Sequence, residues 1–280
     1  MYKIVSKKEL APNIKLLEVN AEQIARNAKP GNFVILRVDG KGERIPITLA
    51  GCDVKRGTIS IAFHEVGKTT TKLGGLKRGD CIMNVAGPLG NAAKIGKYGH
   101  VLCVGGGVMV APLHFHAIAL RDAGNELTTV IGARTRGQVI LRREMQDISS
   151  ELFTVTDDGS EGYSDLGFLK DLLKTRRIDY AVAIGPIVLM NEVAELTRPY
   201  MIKTMVNLNP IMIDGTGMCG ACRVTVGGET KFACTDGPEF DGHLVDFEEL
   251  KVRRRMYMPQ EKIAVLFYKT LVSSYDKEKY

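Results

Sequence analysis

The sequence has no apolar run long enough to cross a membrane, which needs roughly 20 such residues. Its longest candidate, 101–120, is interrupted by Gly105, Gly106, Gly107 and Pro112. The N-terminus lacks the apolar core of a secretory signal, and its first residues alternate as in a strand. These absences argue against a membrane protein and predict one that acts in the cytoplasm.

A strong charge bias is also missing, because 38 Lys and Arg residues are balanced against 32 Asp and Glu residues, for a net charge of +6. This charge is too small and too dispersed to predict a nucleic-acid-binding protein. The densest basic run is Lys251, Arg253, Arg254 and Arg255. It is either a solvated helix face or a docking patch for a partner subunit.

The 280 residues have room for about two domains and a small third module. Short alternating runs over 1–97, punctuated by Gly and Pro, predict an antiparallel β barrel. Alternating strand and helix patterns over 98–208 predict an α/β domain with a doubly wound parallel sheet. The Gly- and Cys-rich stretch 209–246 predicts a module stabilised by a cofactor. The charged extension 247–280 is expected to be partly helical and to dock a partner.

Hydrophobic periodicity predicts the individual elements. In the barrel, it predicts strands at 14–19, 33–38, 45–49, 58–63 and 82–85. In the α/β domain, it predicts strands at 101–104, 127–131, 152–155 and 180–184 and helices at 111–122, 164–173 and 188–200.

The six cysteines form two groups. Three are isolated among apolar residues and are interpreted as small buried hydrophobes: Cys52, Cys81 and Cys103. The others cluster near the C-terminus, which in a cytoplasmic protein indicates a metal or redox site rather than disulfides: Cys219, Cys222 and Cys234.

The clustered cysteines have the spacing of an iron–sulfur site. Plant-type 2Fe–2S sites use C-x4-C-x2-C and a distant fourth cysteine, and this chain matches with Asp214 in the first position. Thiolates suit such clusters, and Gly215, Gly217 and Gly220 let the loop wrap closely. We predict that Asp214 ligates one iron. Asp214 as a loop cap only, or a zinc site with three cysteines, are the alternatives.

A strand, a glycine turn and a helix start follow one another at 100–112. Gly105, Gly106 and Gly107 would let the backbone approach a pyrophosphate, although the Rossmann fingerprint is only partial. A tight turn without a ligand is the alternative. Arg134, after the next strand, would contact a 2′-phosphate, pair with the pyrophosphate or lie in solvent, so NAD and NADP stay open.

Two further loops follow predicted strands and should face the same crevice. Asp157 follows the third strand and Gly185 follows the fourth. Turn formation or contact with a substrate ribose is the preferred role for Asp157, because hydride transfer to a flavin needs no acid–base residue. No catalytic side chain is therefore assigned.

Two barrel segments have residues suited to a flavin nucleotide. Glycine followed by lysine and hydroxyls can donate hydrogen bonds to phosphates, and a Pro-Ile-Thr sequence can lie against an isoalloxazine ring. Plain strands and turns are the alternative. The residues are Arg44, Pro46, Ile47, Thr48, Phe63, His64, Gly67, Thr69 and Thr70.

Six stretches in order resemble the ferredoxin–NADP reductase superfamily. They are RIPIT at 44–48, FHEVGKTT at 63–70, GDCIMNVAGPLGN at 79–91, VGGGVMVAP at 104–112, TDDGS at 156–160 and the cluster segment. The resemblance implies an FAD-binding barrel, an NAD-binding domain and a 2Fe–2S module. It also implies that the two barrel segments hold FAD and that Gly105 to Gly107 and Arg134 border the dinucleotide. In two places the chain departs from the family pattern: Ile45 replaces an arginine, and Ile184 replaces a cysteine.

Within the superfamily, the chain is similar to the small subunit of NADH-dependent ferredoxin:NADP oxidoreductase. Asp214 and the 46 residues after Cys234 favour this branch or the related sulfide dehydrogenase. The resemblance implies a heterodimer with a larger flavin and iron–sulfur subunit. The electron-transfer subunit of dihydroorotate dehydrogenase is the second hypothesis, and a zinc-stabilised binding module without catalysis is the third.

Overall fold

The computed structural model describes residues 1–277. Its N-terminal part contains seven strands and two short helices: β1 (Tyr2–Ala11), β2 (Ile14–Asn20), α1 (Glu22–Asn27), β3 (Phe33–Arg37), β4 (Arg44–Asp53), β5 (Thr58–His64), α2 (Lys68–Gly75), β6 (Cys81–Ile82) and β7 (Asn84–Leu89). These strands form one antiparallel sheet in the order β6-β1-β2-β5-β4-β3-β7. Because only Met83 separates the edge strands β6 and β7, the sheet curls into a nearly closed barrel.

The prediction of one strand at 82–85 was wrong. The strand stops at Ile82, and the Met83 N–H donates to the Val38 carbonyl (3.1 Å). The segment therefore ends one edge of the sheet and begins the other, a change of partner that hydrophobic alternation cannot reveal.

A second sheet follows. Its elements are β8 (His100–Gly106), α3 (Val110–Asp122), β9 (Glu126–Ala133), α4 (Arg142–Gln146), β10 (Glu151–Thr156), α5 (Leu169–Thr175), β11 (Tyr180–Ile184), α6 (Ile187–Thr197) and β12 (Lys203–Asn207). The five strands are parallel in the order β10-β9-β8-β11-β12. Alternate residues of β8 are buried on opposite faces, Val101 and Cys103 toward α3 and Leu102 and Val104 toward α5 and α6, as expected for a sheet covered on both sides.

The remaining elements are β13 (Arg223–Val226), β14 (Glu229–Phe232), β15 (Glu239–Asp241), α7 (Phe247–Arg254) and α8 (Met258–Lys277). Strands β13 and β14 form a hairpin whose turn, Gly227-Gly228, has positive φ at both residues, as a two-residue hairpin requires. Strand β15 pairs antiparallel with β12, so the C-terminal region extends the parallel sheet. The predicted fold class is confirmed.

Two further predictions need correction. The predicted helix at 164–173 begins later, because Asp165 caps a short 3-10 turn through the Gly167 N–H (2.6 Å) and α5 starts at Leu169. Only Cys103 of the isolated cysteines is fully buried, and burial raises the pKa of its thiol to about 12; Cys52 and Cys81 are half-buried at the barrel wall. No helix within residues 1–277 has the length and apolar character that a membrane span requires.

Candidate functional site

A crevice of about 670 Å³ lies between the barrel and the carboxyl ends of the parallel strands. Its walls bring together residues that are distant in the sequence, namely Gly106 and Gly107 at the end of β8, Arg134 after β9, Asp157 after β10 and His64 from the barrel. Open parallel sheets bind their ligands at this edge. The crevice is therefore the candidate dinucleotide site.

The three positions of the glycine turn differ in the reason why each is occupied by glycine. A Cβ at Gly105 would lie 2.6 Å from Leu113 Cδ2, and one at Gly106 would lie 2.8 Å from Leu189 Cδ1. Gly107 has a φ of +58° and open space where its Cβ would be. Packing thus requires the first two glycines, and only Gly107 exposes backbone on its open side to a ligand.

His64 connects the barrel to the sheet electrostatically. Burial, followed by the charge of Arg134, lowers the pKa of the His64 imidazole, and Glu65 opposes this shift. His64 and Arg134 also line the same crevice. The neutral imidazole is therefore favoured, and Arg134 is the cation at this side of the crevice.

The acidic loop after β10 serves two purposes. Asp158 closes a turn, because its carboxylate accepts hydrogen bonds from the Ser160 hydroxyl (2.6 Å) and N–H (3.0 Å), and these bonds lower the pKa of Asp158. Asp157 lines the crevice instead. Gly185 begins the loop after β11, and its Cβ position is only 3.2 Å from the Gly106 nitrogen, so that two of the crevice turns are in contact.

On the barrel, alternation along β4 separates the predicted flavin residues. Pro46 pairs with Ile35 and Thr48 with Phe33, and paired residues share one face of an antiparallel sheet. Arg44 belongs to the same face by alternation. Ile47 lies in the barrel core. The outer face thus has Pro46, Thr48 and Arg44 available to a ligand.

The second barrel segment is partly engaged within the protein. Phe63 is 3% exposed in the barrel core, so only its backbone can reach a ligand. Thr69 donates to a Glu43 carboxylate oxygen (3.1 Å), whereas the Thr70 hydroxyl accepts from the Gly67 N–H (3.0 Å) and starts α2. These side chains can contact a phosphate only by exchanging or sharing these bonds.

The cluster loop lies against the flavin face of the barrel. Gly215 has a φ of +74°, and a Cβ there would be 2.9 Å from both Ile35 Cγ1 and Leu89 Cδ1. Ile35 is the cross-strand partner of Pro46. The predicted cluster ligands and the predicted flavin residues are therefore on adjoining surfaces, although they are far apart in the sequence.

The structure brings two of the four predicted iron ligands together. The Cys222 and Cys234 sulfurs are 3.2 Å apart and buried. Burial and the neighbouring Cys222 raise the pKa of Cys234 to about 12, which a Gly217 N–H partly offsets. A buried thiol pair with a backbone donor fits an iron site, because iron replaces the thiol protons on binding.

Asp214 and Cys219 are arranged differently. The Asp214 carboxylate accepts from the Thr216 and Cys219 N–H groups (both 2.8 Å), and these bonds lower its pKa. Cys219 is exposed. Within residues 1–277, no three Cys, His, Asp or Glu side chains converge as for a metal ion. The structure thus has Asp214 as a loop cap, and its role as an iron ligand stays a prediction.

Several crevice residues have no counterpart in the predicted site. Asn209 follows β12, and the end of that strand could have indicated it by the same rule as Asp157. Asp165 and Glu192 also line the crevice. Burial and the charge of Asp165 raise the pKa of Glu192, and Lys170 opposes the shift. Arg254 is the fourth such residue of the crevice, and no local pattern in the sequence indicates this position.

Comparison with known proteins agrees with this architecture. Residues 209–246 match the model of the iron–sulfur cluster binding domain of dihydroorotate dehydrogenase B. A solved structure of phthalate dioxygenase reductase shares the fold, with a TM-score of 0.60 at 18% identity over 80% of this chain and 85% of that one. The barrel and the parallel sheet thus have the fold of this reductase, as predicted, and residues 209–246 add an iron–sulfur cluster binding module.

Closer relatives specify the family. A dihydroorotate dehydrogenase B electron transfer subunit homolog of Thermotoga maritima is 46% identical over 93% of both chains. A solved structure of the NADH-dependent reduced ferredoxin-NADP oxidoreductase is 42% identical, with a TM-score of 0.90 over 97% of this chain and 98% of that one. The chain belongs to the family of dihydroorotate dehydrogenase B electron-transfer subunits and their homologues.

Proposed function

We propose that this chain is the small subunit of an NADH-dependent ferredoxin:NADP oxidoreductase and transfers electrons between NAD(H), FAD and a 2Fe–2S cluster. The observation that carries the proposal is the contact of Gly215 with Ile35, the strand partner of Pro46. This contact puts the cluster loop beside the flavin face. FAD held at this face would supply hydride exchange with the nicotinamide and single-electron exchange with the cluster.

The residues of the chain position these groups. The backbone at Gly107 and the Arg134 guanidinium hold the dinucleotide phosphates, and Pro46, Thr48 and His64 face the flavin. Cys219, Cys222 and Cys234 supply sulfur to the cluster. The crevice between barrel and sheet limits water access where the two rings meet. These contacts position the cofactors, which perform the chemistry.

Asp214 completes the cluster in this proposal by turning its carboxylate from the Thr216 and Cys219 amides to an iron. Asp214→Ala is expected to lower the iron content and change the EPR spectrum of the reduced protein. Asp214→Asn keeps the side-chain shape and one capping oxygen but removes the negative charge. An unchanged spectrum in both variants would limit Asp214 to the loop cap.

The partner in this proposal is a larger flavin and iron–sulfur subunit in the cytoplasm, and electrons bifurcate within the heterodimer. In this proposal, residues 247–280 dock the partner subunit. Residues 1–97 bind FAD, residues 98–208 bind NAD, and residues 209–246 bind the cluster. The support is an exposed apolar row on α8, in which Ile263, Leu266 and Phe267 are about two-thirds exposed. Such a row on one helix face is typical of a protein interface.

A second candidate is the electron-transfer subunit of dihydroorotate dehydrogenase, which the names of several relatives favour. Anaerobic purification of the native complex distinguishes the two. We expect a large iron–sulfur flavoprotein to copurify with the chain. We also expect that NADH, tested separately from NADPH, bleaches the flavin absorbance and produces a 2Fe–2S EPR signal. A partner that oxidises dihydroorotate would support the second candidate.

A further inference from the structure

The crevice contains a second cation, which comes from the C-terminal extension. Arg254, the last residue of α7, lines the crevice together with Gly107 and Arg134. It also lines a smaller cavity of about 230 Å³ that Cys219 borders. Among residues 1–277, its guanidinium has no hydrogen-bond or ion-pair partner, whereas the nearby Lys251 pairs with Glu248 (2.6 Å).

Helix α7 places Arg254 at the mouth of the crevice, where the residue stays exposed. Phe247 and Leu250 are buried, and Arg254 is seven and four residues further along, on the same helix side. Asp246 caps the start of the helix through the Glu249 N–H (2.9 Å). At the other end, Arg253 donates to the Ala221 carbonyl in the cluster loop (3.1 Å). Both ends of α7 are thus fixed, which holds Arg254 at the edge of the crevice.

Arg254 and Arg134 border different halves of the crevice. Arg134 follows β9, on the β10 side of the glycine turn. Arg254 shares the smaller cavity with Pro210 and Ile211, which follow β12, on the other side. A dinucleotide with its pyrophosphate at the glycine turn has one mononucleotide half toward each arginine.

The flavin face identifies the half near Arg254. In the loop that follows β12, a Cβ at Gly215 would lie 2.9 Å from Ile35 Cγ1 of the barrel face, and Ile213 of the same loop lines the smaller cavity with Arg254. The β12 side of the crevice therefore adjoins the predicted flavin surface. Hydride transfer needs the nicotinamide at that surface, so the nicotinamide half belongs on the β12 side.

We propose that Arg254 binds the phosphate of the nicotinamide mononucleotide half of the bound dinucleotide. This inference rests on the proposed function, because it takes the crevice to be the dinucleotide site. A guanidinium forms charge-assisted, often bidentate hydrogen bonds with phosphate. The anions Asp157, Asp165 and Glu192 also line the crevice, and an ion pair of Arg254 with Glu192 is the competing explanation.

The test uses the full chain loaded with FAD and cluster. Arg254→Gln is expected to raise the Kd of NADH by roughly 10-fold, which is the effect of losing one charge-assisted hydrogen bond. The Kd of nicotinamide mononucleotide, measured by competition, should rise by the same factor. The Kd of AMP should stay unchanged. Arg254→Lys should restore part of the affinity, and Arg255→Gln, an exposed neighbour, should leave all three constants unchanged. Unfolding midpoint and cluster EPR signal serve as structural controls.

Three results would overturn the inference. First, NADH and nicotinamide mononucleotide could bind the Arg254→Gln variant as tightly as they bind the original protein. Second, the substitution could weaken the binding of AMP as much as it weakens the binding of NADH. Third, Glu192→Gln could weaken NADH binding as much as Arg254→Gln does, and the double variant could show no further loss. This result would mean that Arg254 acts by pairing with Glu192 and not by binding the phosphate. If the unaltered loaded protein bound neither NADH nor NADPH, the proposed function itself would fail.

Discussion

The dinucleotide crevice and the cluster loop both depend on glycines, but they are stabilised in different ways. In the crevice, Gly105 and Gly106 are packed between strands and helices, so the fold itself sets the shape. In the cluster loop, the Cys222 and Cys234 sulfurs are in contact, whereas Cys219 is exposed and Met218 is 89% exposed. Packing sets the shape of the crevice, whereas we expect the exposed part of the cluster loop to become ordered when metal binds.

The comparison predicts that removing one sulfur has the largest effect. Cys234→Ser should eliminate the 2Fe–2S EPR signal and most of the bound iron, because a hydroxyl is a poor substitute for a buried thiolate. FAD should remain, since the barrel core is separate. Iron analysis and flavin absorbance of the purified protein measure both. Cys52→Ser is the matched control, and equal iron in the two variants would contradict the cluster assignment.

Two glycine variants can separate the effect of the loop–barrel contact on stability from the effect of backbone strain. Gly215→Ala adds a Cβ at 2.9 Å from Ile35 and Leu89, whereas Gly228→Ala, also at positive φ, meets open space. Left-handed strain costs about 1–2 kcal/mol in either variant, and overpacking adds roughly 1–3 kcal/mol only at Gly215. Denaturant unfolding of both variants measures the difference. Equal destabilisation would show that the loop does not pack on the barrel.

For the crevice, Gly106→Ala tests whether packing alone holds the turn. Its Cβ would be 2.8 Å from Leu189 and 2.9 Å from the Pro186 ring, so we expect a loss of roughly 1–3 kcal/mol in the free energy of unfolding. The loss should be the same with and without iron. A loss seen only in the iron-loaded protein would contradict the contrast between the two sites.

The smallest expected effect concerns pH. The pKa of His64 is lowered in the folded protein, so the unfolded chain binds a proton first as the pH falls below about 6.5. This part of the stability is complete above that pH and is lost as the pH falls through the folded pKa. His64→Gln should reduce the stability difference between about pH 7.5 and pH 5.5. An unchanged difference would mean that His64 is not shielded by the crevice.

Much of the fold could be predicted because its signals are local. Alternation in β2, β3 and β5 and the buried runs of β8 and β11 specify the two sheets from short windows. The break at Met83 depends on a partner elsewhere in the chain, and the late start of α5 depends on the Asp165 cap, which hydrophobic periodicity does not detect. Sequence spacing could indicate the four cluster residues, but it could not reveal that the Asp214 carboxylate caps its own loop.

The crevice could be predicted only in part for a similar reason. Gly105 to Gly107, Arg134 and Asp157 lie at or directly after the carboxyl ends of strands, so the carboxyl-end rule indicates them. Glu192 and Arg254 are on helices, and only tertiary packing brings them to the crevice. Within the basic run, Arg253 donates to the cluster loop and Arg254 lines the crevice, and a docking role for the run stays a prediction.

The most direct test of the central claim is the cofactor content of this chain alone after reconstitution without oxygen. The account predicts one flavin and one 2Fe–2S cluster per chain, with NADH bleaching the flavin and producing the EPR signal of a reduced cluster. A folded protein that held neither iron nor flavin after this treatment would contradict the account.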